Sequence, residues 1–179
     1  MSRTVDVVVS YLAMTSPAQL RPGAVPHEEF RVVQLDSSSE GTPTIVRQLY
    51  LDVGAAWHWQ DRAKWSDQEW ADAIRKEGVE IWVALRDRDV AQVGYYELER
   101  SDGDVDIRYF GLLAGFIGRG LGGWLLTKAV ERAWEQGAAR VTLNTCSLDG
   151  AAALPNYRSR GFELVRIVHQ RRELPDEPR

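Results

Sequence analysis

The sequence is poor in the residues that bind metals and form cross-links. It has one cysteine, Cys146, and three histidines among 179 residues. A single cysteine excludes an internal disulfide and a zinc site built from cysteines. The histidines, His27, His58 and His169, are scattered, with no second ligand at helical spacing. We therefore expect no structural metal.

Long apolar runs and blocks of positive charge are also missing. No run approaches the ~20 apolar residues of a membrane helix. The stretch 5–14 is interrupted by Asp6 and Ser10 and lacks the flanks of a signal peptide. The net charge is −4, and no basic block exceeds the pair Arg171 and Arg172, which disfavours nucleic acid as a partner. We expect a cytoplasmic protein with neither a membrane nor a nucleic-acid partner.

The length and composition are those of one globular domain. A chain of 179 residues, 44% hydrophobic and 27% charged, is long enough to bury a core and has ordinary polarity. We therefore treat residues 1–179 as a single domain that ends in a polar tail, residues 174–179.

Hydrophobic periodicity and turn residues predict an α+β chain. The predicted strands cover residues 5–12, 30–35, 80–85, 90–99, 105–113, 140–146 and 162–171. The predicted helices cover residues 43–53, a short segment after the capping-box pattern of Ser66 and Glu69, and residues 118–136 and 151–160. The second strand is a candidate partner of the first. Asp102-Gly103 is a hairpin signal, so the centre of the chain is predicted to be an antiparallel meander.

Glycines are concentrated at residues 118–123, between a predicted strand and a predicted helix. Glycines let a backbone approach a ligand closely. The free N–H groups of a first helical turn, together with the helix dipole, favour an anion such as pyrophosphate. Arg119 adds a positive charge at the same place.

Three interpretations of this cluster compete. In the first, the loop only packs a helix on a sheet, although so many glycines are then costly. Gly118, Gly120 and Gly123 also satisfy the dinucleotide pattern G-x-G-x-x-G, but that pattern needs a parallel βαβ unit and a downstream acid. Here the preceding strands are hairpin-linked, and the downstream position falls on Leu143 or Asn144. The third interpretation is coenzyme A.

With coenzyme A as the ligand, the chain resembles the GNAT (Gcn5-related N-acetyltransferase) superfamily from Glu80 to His169. The family motif Gln/Arg-x-x-Gly-x-Gly/Ala maps onto residues 117–122, with Ile117 in the place of the polar residue. A second match puts Ala153, Tyr157 and the pair Gly161-Phe162 in the family register. Gly150 stands where the family usually has asparagine, and Asp149 or Asn156 would have to take over part of its role.

The resemblance implies a GNAT-like α+β fold: a mixed, mainly antiparallel sheet with helices on both faces. It implies acetyl-CoA as cosubstrate, in a V-shaped cleft between the strands 105–113 and 140–146, and N-acetyltransferase activity by direct attack of an amine in a ternary complex. The acceptor is a small-molecule or peptide amine, and a homodimer is compatible with the family. The alternatives are a non-catalytic acyl-CoA sensor and a nucleotide-dependent oxidoreductase.

The resemblance also implies roles for particular residues. The cofactor-binding residues are Gly111, Leu112 and Leu113, whose backbone supplies the oxyanion donor, and Gly118, Arg119, Gly120, Leu121, Gly122, Gly123 and Asn156. Tyr157 is the candidate general acid for the leaving thiolate. Asp106 is the candidate base, with Glu97 and Glu99 as alternatives. A covalent acyl-Cys146 is disfavoured, because no histidine is near it in sequence.

The tryptophan-rich stretch 57–65 is the candidate acceptor site. Trp57, Trp59, Asp61 and Trp65 combine aromatic rings with a carboxylate, which suits an amine through cation–π and charge contacts. The same residues also fit an aromatic mini-core under a long loop. The sequence is compatible with both interpretations.

Overall fold

The structure, a computed structural model, describes residues 2–175. Its strands are β1 (Ser2–Met14), β2 (Phe30–Gln34), β3 (Val79–Arg86), β4 (Ala91–Ser101), β5 (Asp104–Leu112), β6 (Val141–Cys146) and β7 (Glu163–Pro175). Its α-helices are α1 (Thr42–Gly54), α2 (Asp67–Arg75), α3 (Leu121–Glu135) and α4 (Ala153–Ser159). Short 3₁₀ turns cover Pro17–Gln19, Ala55–Trp57 and Ala114–Phe116.

One seven-stranded sheet, in the order β2-β3-β4-β5-β6-β1-β7, forms the centre of the protein. All neighbouring strands are antiparallel except β5 and β6. These two run parallel and pair only over Val105–Ile107 and Val141–Leu143. Beyond Ile107 they separate, and this separation creates the cleft described below.

Local sequence signals explain several element boundaries. The Ser66 hydroxyl accepts a hydrogen bond from the Glu69 N–H, and the Glu69 side chain accepts one from the Ser66 N–H, so the predicted capping box starts α2. Asp102 and Gly103 both have positive φ, 52° and 86°, as a two-residue hairpin turn requires. This turn joins β4 to β5 and confirms the predicted meander.

Helices cover both faces of the sheet, as predicted. On one face α3 and α4 pack on the strands through a cluster that includes the fully buried Leu125 and Leu126. On the other face α1 and α2 pack through Tyr50 and Trp70. Each large apolar side chain buried in this way contributes about 1.5–3 kcal/mol relative to exposure.

Two expectations about the sheet need correction. β2 pairs with β3 at one edge rather than with β1, which lies between β6 and β7. The polar tail also begins later than predicted, because β7 continues through Pro175 and Leu174 is buried at 3% exposure. The rest of the predicted tail, residues 176–179, lies outside the described residues.

Candidate active site

A cleft of about 1360 Å³ opens where β5 and β6 separate. It extends from the aromatic segment, by which we mean residues 57–65, across β5 to the first turn of α3 and to α4. Pockets for single small ligands are commonly ~300–1,000 Å³. This cleft is therefore large enough for a coenzyme together with a second substrate.

A β-bulge marks the point where the strands diverge. Ile107 pairs with Leu98 and Tyr109 pairs with Glu97, so Arg108 is the extra residue of β5. A bulge bends its strand and redirects the residues that follow it. The bulge directly follows Ile107, the last residue of β5 that pairs with β6, and it therefore coincides with the opening of the cleft.

The strand register shows which backbone donors face the cleft. The Leu113 N–H donates to the Val93 carbonyl at 2.9 Å, and bonded and non-bonded pairs alternate along antiparallel strands. Leu112, opposite Gly94, therefore directs its N–H away from β4, to the side that β6 has left. Of the three residues predicted here, Gly111 and Leu112 line the cleft, whereas Leu113 does not.

The glycine loop adopts a backbone that other residues rarely take. Gly118 and Gly120 have φ values of 81° and 76°, in the left-handed region that favours glycine. Gly120 precedes α3 without a side-chain cap, and the first turn contains no acidic residue. The N–H groups of this first turn are therefore available to an anion. They lie on the wall of the cleft that Gly122 and Gly123 also line.

Three other side chains of the motif have different surroundings. The Arg119 guanidinium lies 5.3 Å from the ring centroid of Phe116 and does not line the cleft. Leu121 is buried in the core under α3. Ile117 lines the cleft and is 49% exposed, so the position of the family's polar residue offers only an apolar surface.

Two side chains of the α4 region lie against the start of α3. A Cβ atom built on Gly123 would be 3.5 Å from Asn156 Oδ1 and would overlap Arg160 Nη1. The Arg160 Nε is buried without a hydrogen-bond partner, although Arg160 lines the cleft. Sequence reasoning missed Arg160. Its four-residue spacing from Asn156, which places both on one helix face, was the available signal.

Tyr157 is buried, at 8% exposure, and lines the cleft from α4. Its ring packs edge-on against Phe110 and Phe162. Burial, and next the charge of Asp149, raises the pKa of Tyr157 well above its ordinary value of 10.0. The hydroxyl therefore stays protonated across the neutral range and can act as a donor.

The three candidate bases have different environments. Asp106 lines the cleft, and burial raises its pKa even though it accepts a 2.7 Å hydrogen bond from Thr142. Burial would also raise the pKa of Glu99, but a hydrogen bond from Lys76 and the charge of Arg108 lower it.

Glu97, the third candidate base, forms a buried ion pair with Arg62. The guanidinium donates to both carboxylate oxygens, at 2.7 and 2.8 Å, and both side chains are almost fully buried. The same guanidinium lies 4.7 Å from the ring centroid of Trp65 and 4.3 Å from that of Tyr109. Trp65 thus belongs to this buried cluster and does not line the cleft.

The other predicted acceptor residues do line the cleft: Trp57, Trp59 and Asp61. Trp59 packs edge-on against Tyr109, at 5.2 Å between ring centroids. His58, also on this wall, has a left-handed φ of 56°, an uncommon conformation for a residue with a Cβ. The aromatic segment thus contributes both to a buried cluster and to the cleft.

Cys146 also lines the cleft, from the end of β6. Burial, and next the charge of Asp149, raises the pKa of its thiol. Because the thiolate is the nucleophilic form, this environment does not activate the residue for acyl transfer. Within residues 2–175, no group of three or more His, Cys, Asp or Glu side chains could hold a metal ion.

The family model for the acetyltransferase (GNAT) family matches residues 44–162, which is more than half of the chain. The chain therefore belongs to the GNAT acetyltransferase family, and this membership supports an acyltransferase. No curated protein matched the sequence. No helix in the described part of the chain is long and apolar enough to cross a membrane.

Solved structures share the fold at low sequence identity. A GCN5-related N-acetyltransferase from Sphaerobacter thermophilus is 17% identical, with a TM-score of 0.73 over 96% of this chain and 53% of its own. One from Kribbella flavida is 20% identical, with a TM-score of 0.65 over 93% of this chain and 58% of its own. A tandem GNAT protein from the clavulanic acid biosynthesis pathway is 15% identical, with a TM-score of 0.56 over 96% of this chain and 55% of its own. The chain thus spans little more than half the length of these structures.

Proposed function

We propose that this protein transfers an acetyl group from acetyl-CoA to an amine, by direct attack in a ternary complex. One observation carries the proposal. A single cleft brings together the uncapped first turn of α3, the outward N–H of Leu112 and the buried hydroxyl of Tyr157. These groups suit a phosphate, a thioester oxygen and a leaving sulfur, respectively.

The residues at the α3 end fit the pyrophosphate of acetyl-CoA. The backbone there is free of side chains at Gly120, Gly122 and Gly123, so a ligand can approach the N–H groups closely. Arg160 offers a buried nitrogen with no partner inside the protein, next to the same turn. An unpaired buried donor is costly, and an anion at this place would satisfy it.

Acetyl-CoA supplies the acetyl group in activated form, as a thioester. The Leu112 N–H would bind the carbonyl oxygen, and one oxyanion-hole donor in other enzymes is worth about 2.7–4 kcal/mol. Tyr157 would give a proton to the sulfur as the carbon–sulfur bond breaks. Asp106 would accept, directly or through water, the proton lost by the amine as the carbon–nitrogen bond forms.

The aromatic segment supports the acceptor side of the proposal. Trp57, Trp59 and Asp61 line the same cleft as the glycine loop, and none of them belongs to α3 or α4. A small-molecule amine and a peptide amine both remain candidates. A non-catalytic acyl-CoA sensor would use the glycine loop in the same way but would not depend on Tyr157.

The first experiment is thermal unfolding with acetyl-CoA, with NADH and ATP as controls. A ligand at ~100 times its dissociation constant stabilises the folded state by about 2.7 kcal/mol. We expect acetyl-CoA alone to raise the melting temperature. A shift with NADH alone would contradict the proposed coenzyme.

The second experiment separates an enzyme from a sensor. Thiol release from acetyl-CoA is followed in a panel of amines, with the wild type and Tyr157→Phe compared. Amine-dependent release that the variant loses supports acetyl transfer. Tight binding of acetyl-CoA with no release for any amine would favour the sensor.

A further inference from the structure

Asp61 presents a carboxylate to the acceptor side of the cleft, held from behind by two tyrosines. The Tyr50 hydroxyl donates to Asp61 Oδ1 at 2.7 Å, and the Tyr109 hydroxyl donates to Oδ2. A carboxylate has about four lone-pair positions, so each oxygen can accept a further hydrogen bond. Asp61 is itself exposed and lines the cleft.

The two tyrosines hold this carboxylate in a fixed position. Tyr50 is fully buried, Tyr109 is 8% exposed, and their ring centroids are 5.3 Å apart. The Tyr50 oxygen also accepts a 3.1 Å hydrogen bond from the Arg62 N–H. A ligand that binds Asp61 therefore meets a preorganised group and does not have to order it.

The negative charge of Asp61 has no cationic partner among the described residues. Arg62, its neighbour in sequence, is bound to the buried Glu97 instead. The indoles of Trp57 and Trp59 line the same wall. A fixed carboxylate beside aromatic rings is suited to an ammonium or guanidinium group.

This cation is not the nitrogen that attacks the thioester. A different carboxylate of the cleft, Asp106, is the proposed acceptor of the departing proton. Tyr109 belongs to β5, and its hydroxyl donates to Asp61. The length of a tyrosine side chain therefore separates Asp61 from the backbone of β5.

We propose that Asp61 binds a second, non-reacting cationic group of the acceptor, so that the substrate class is amines with two cationic centres, such as alkyl diamines. This inference rests on the proposed acetyl transfer and adds the class of acceptor to it. The wall of Trp57, Trp59 and Asp61 recognises the second cation. The first nitrogen reaches the thioester at the edge of β5.

The test compares diaminobutane with butylamine, which differ only in the second amino group. Acetylation is measured for the wild type, for Asp61→Asn and for Asp52→Asn, an exposed carboxylate of α1 outside the cleft. We expect the wild type to prefer the diamine by roughly 10–100-fold in kcat/KM, the range of one charge-assisted hydrogen bond. Asp61→Asn should abolish this preference by raising the KM of the diamine, whereas Asp52→Asn should leave the kcat/KM values of both amines at their wild-type level.

The outcomes distinguish the inference from the proposed function. Equal kcat/KM values for the two amines in the wild type, or a preference that survives Asp61→Asn, would overturn the inference while acetyl transfer stands. If neither amine is acetylated, acetyl transfer to simple amines is contradicted. The melting temperature with each amine then decides the cation site. The cation site is supported if diaminobutane, but not butylamine, raises the melting temperature, and if Asp61→Asn loses this effect while Asp52→Asn keeps it. Equal shifts with the two amines would overturn the inference.

Discussion

The tip of the Trp57 indole lies against Gly150, across the acceptor side of the cleft. A Cβ atom built on Gly150 would be 3.0 Å from Cη2 and 3.3 Å from Cζ2 of the ring. Gly150 occupies the position at which the family pattern has asparagine. A larger side chain at position 150 would push the indole away. The position of Trp57 therefore depends on the glycine that replaces the asparagine of the family pattern.

Gly150→Asn is expected to displace Trp57 and to destabilise the protein by about 1–3 kcal/mol, as overpacking usually does. Gly150 has no positive φ, so the cost is steric and not conformational. In a Trp57→Ala background the same substitution should cost much less. Urea unfolding of the four proteins of this double-mutant cycle measures the coupling. Gly115→Asn, where a Cβ atom meets nothing within 4 Å, is the control, and additive costs would contradict the contact.

Tyr157→Phe is expected to lower kcat about 100-fold or more, the lower range for the loss of a general acid. The ring packing on Phe110 and Phe162 is retained, so the affinity for acetyl-CoA should not change. Because burial and the charge of Asp149 raise the pKa of Tyr157, its deprotonation should produce no fall in wild-type activity up to pH ~10. The measurement is thiol release as a function of pH. An unchanged kcat in the variant would remove Tyr157 from the reaction.

Asp106→Asn is expected to stabilise the fold at neutral pH while lowering acetyl transfer. Burial raises the pKa of Asp106 above 3.8, so the folded state binds this proton more tightly than the unfolded state. The free energy of unfolding therefore falls as the pH rises from the unfolded to the folded pKa, and it stays reduced above both. The amide can still accept from Thr142 and carries no charge.

Urea unfolding between pH 3 and pH 8 checks this sign, with Asp52→Asn as an exposed control. The advantage of Asp106→Asn over the wild type should be absent at the acid end and should grow as Asp106 ionises. If the variant were less stable than the wild type at neutral pH, Asp106 would be a favourably buried carboxylate and a poor candidate for a base.

Glu97→Gln is expected to destabilise the protein by about 3–5 kcal/mol, because it leaves the buried Arg62 guanidinium without its countercharge. Glu131→Gln, in the exposed pair with Lys128, is the matched control and should cost less than about 1 kcal/mol. Chemical denaturation measures both. A small effect at Glu97 would mean that the aromatic rings around Arg62 are enough to keep it buried.

The buried ion pair of Arg62 and Glu97 could not be predicted from the sequence. Signals carried by a few adjacent residues were sufficient for the capping box before α2 and for the Asp102-Gly103 turn. The two partners of the ion pair are 35 residues apart, and no local pattern links them. The pairing of β2 with β3, instead of β1, was missed for the same reason, since strand order depends on contacts between distant segments.

Within the candidate site, too, contiguous motifs could be recognised from the sequence, whereas the surroundings of individual side chains could not. The glycine loop is a contiguous motif, and the spacing of Tyr157 from Gly161 matches a second one, so both segments could be recognised from the sequence. The aromatic segment was found as a composition, but periodicity could not separate Trp57 and Trp59, which line the cleft, from Trp65, which packs on Arg62. The predicted roles of these residues stay predictions.

Arg160→Met is expected to weaken the binding of acetyl-CoA about 10–100-fold, the equivalent of one charge-assisted hydrogen bond. Arg160 lies against the first turn of α3, its Nε has no partner in the protein, and Ile117 provides no polar contact there. Arg158→Met, an exposed arginine of α4 outside the cleft, should bind acetyl-CoA normally.

Titration calorimetry with acetyl-CoA and with acetylpantetheine, which lacks the phosphates and the nucleoside of the coenzyme, tests whether Arg160 contacts that part of the ligand. The loss in Arg160→Met should be confined to acetyl-CoA, and it should shrink at high salt because the contact is ionic. Introducing Ile117→Arg into the variant should restore part of the affinity, since it returns a polar side chain to the position where the family has glutamine or arginine. Equal losses for both thioesters would place Arg160 in the packing between α3 and α4 and not in phosphate binding.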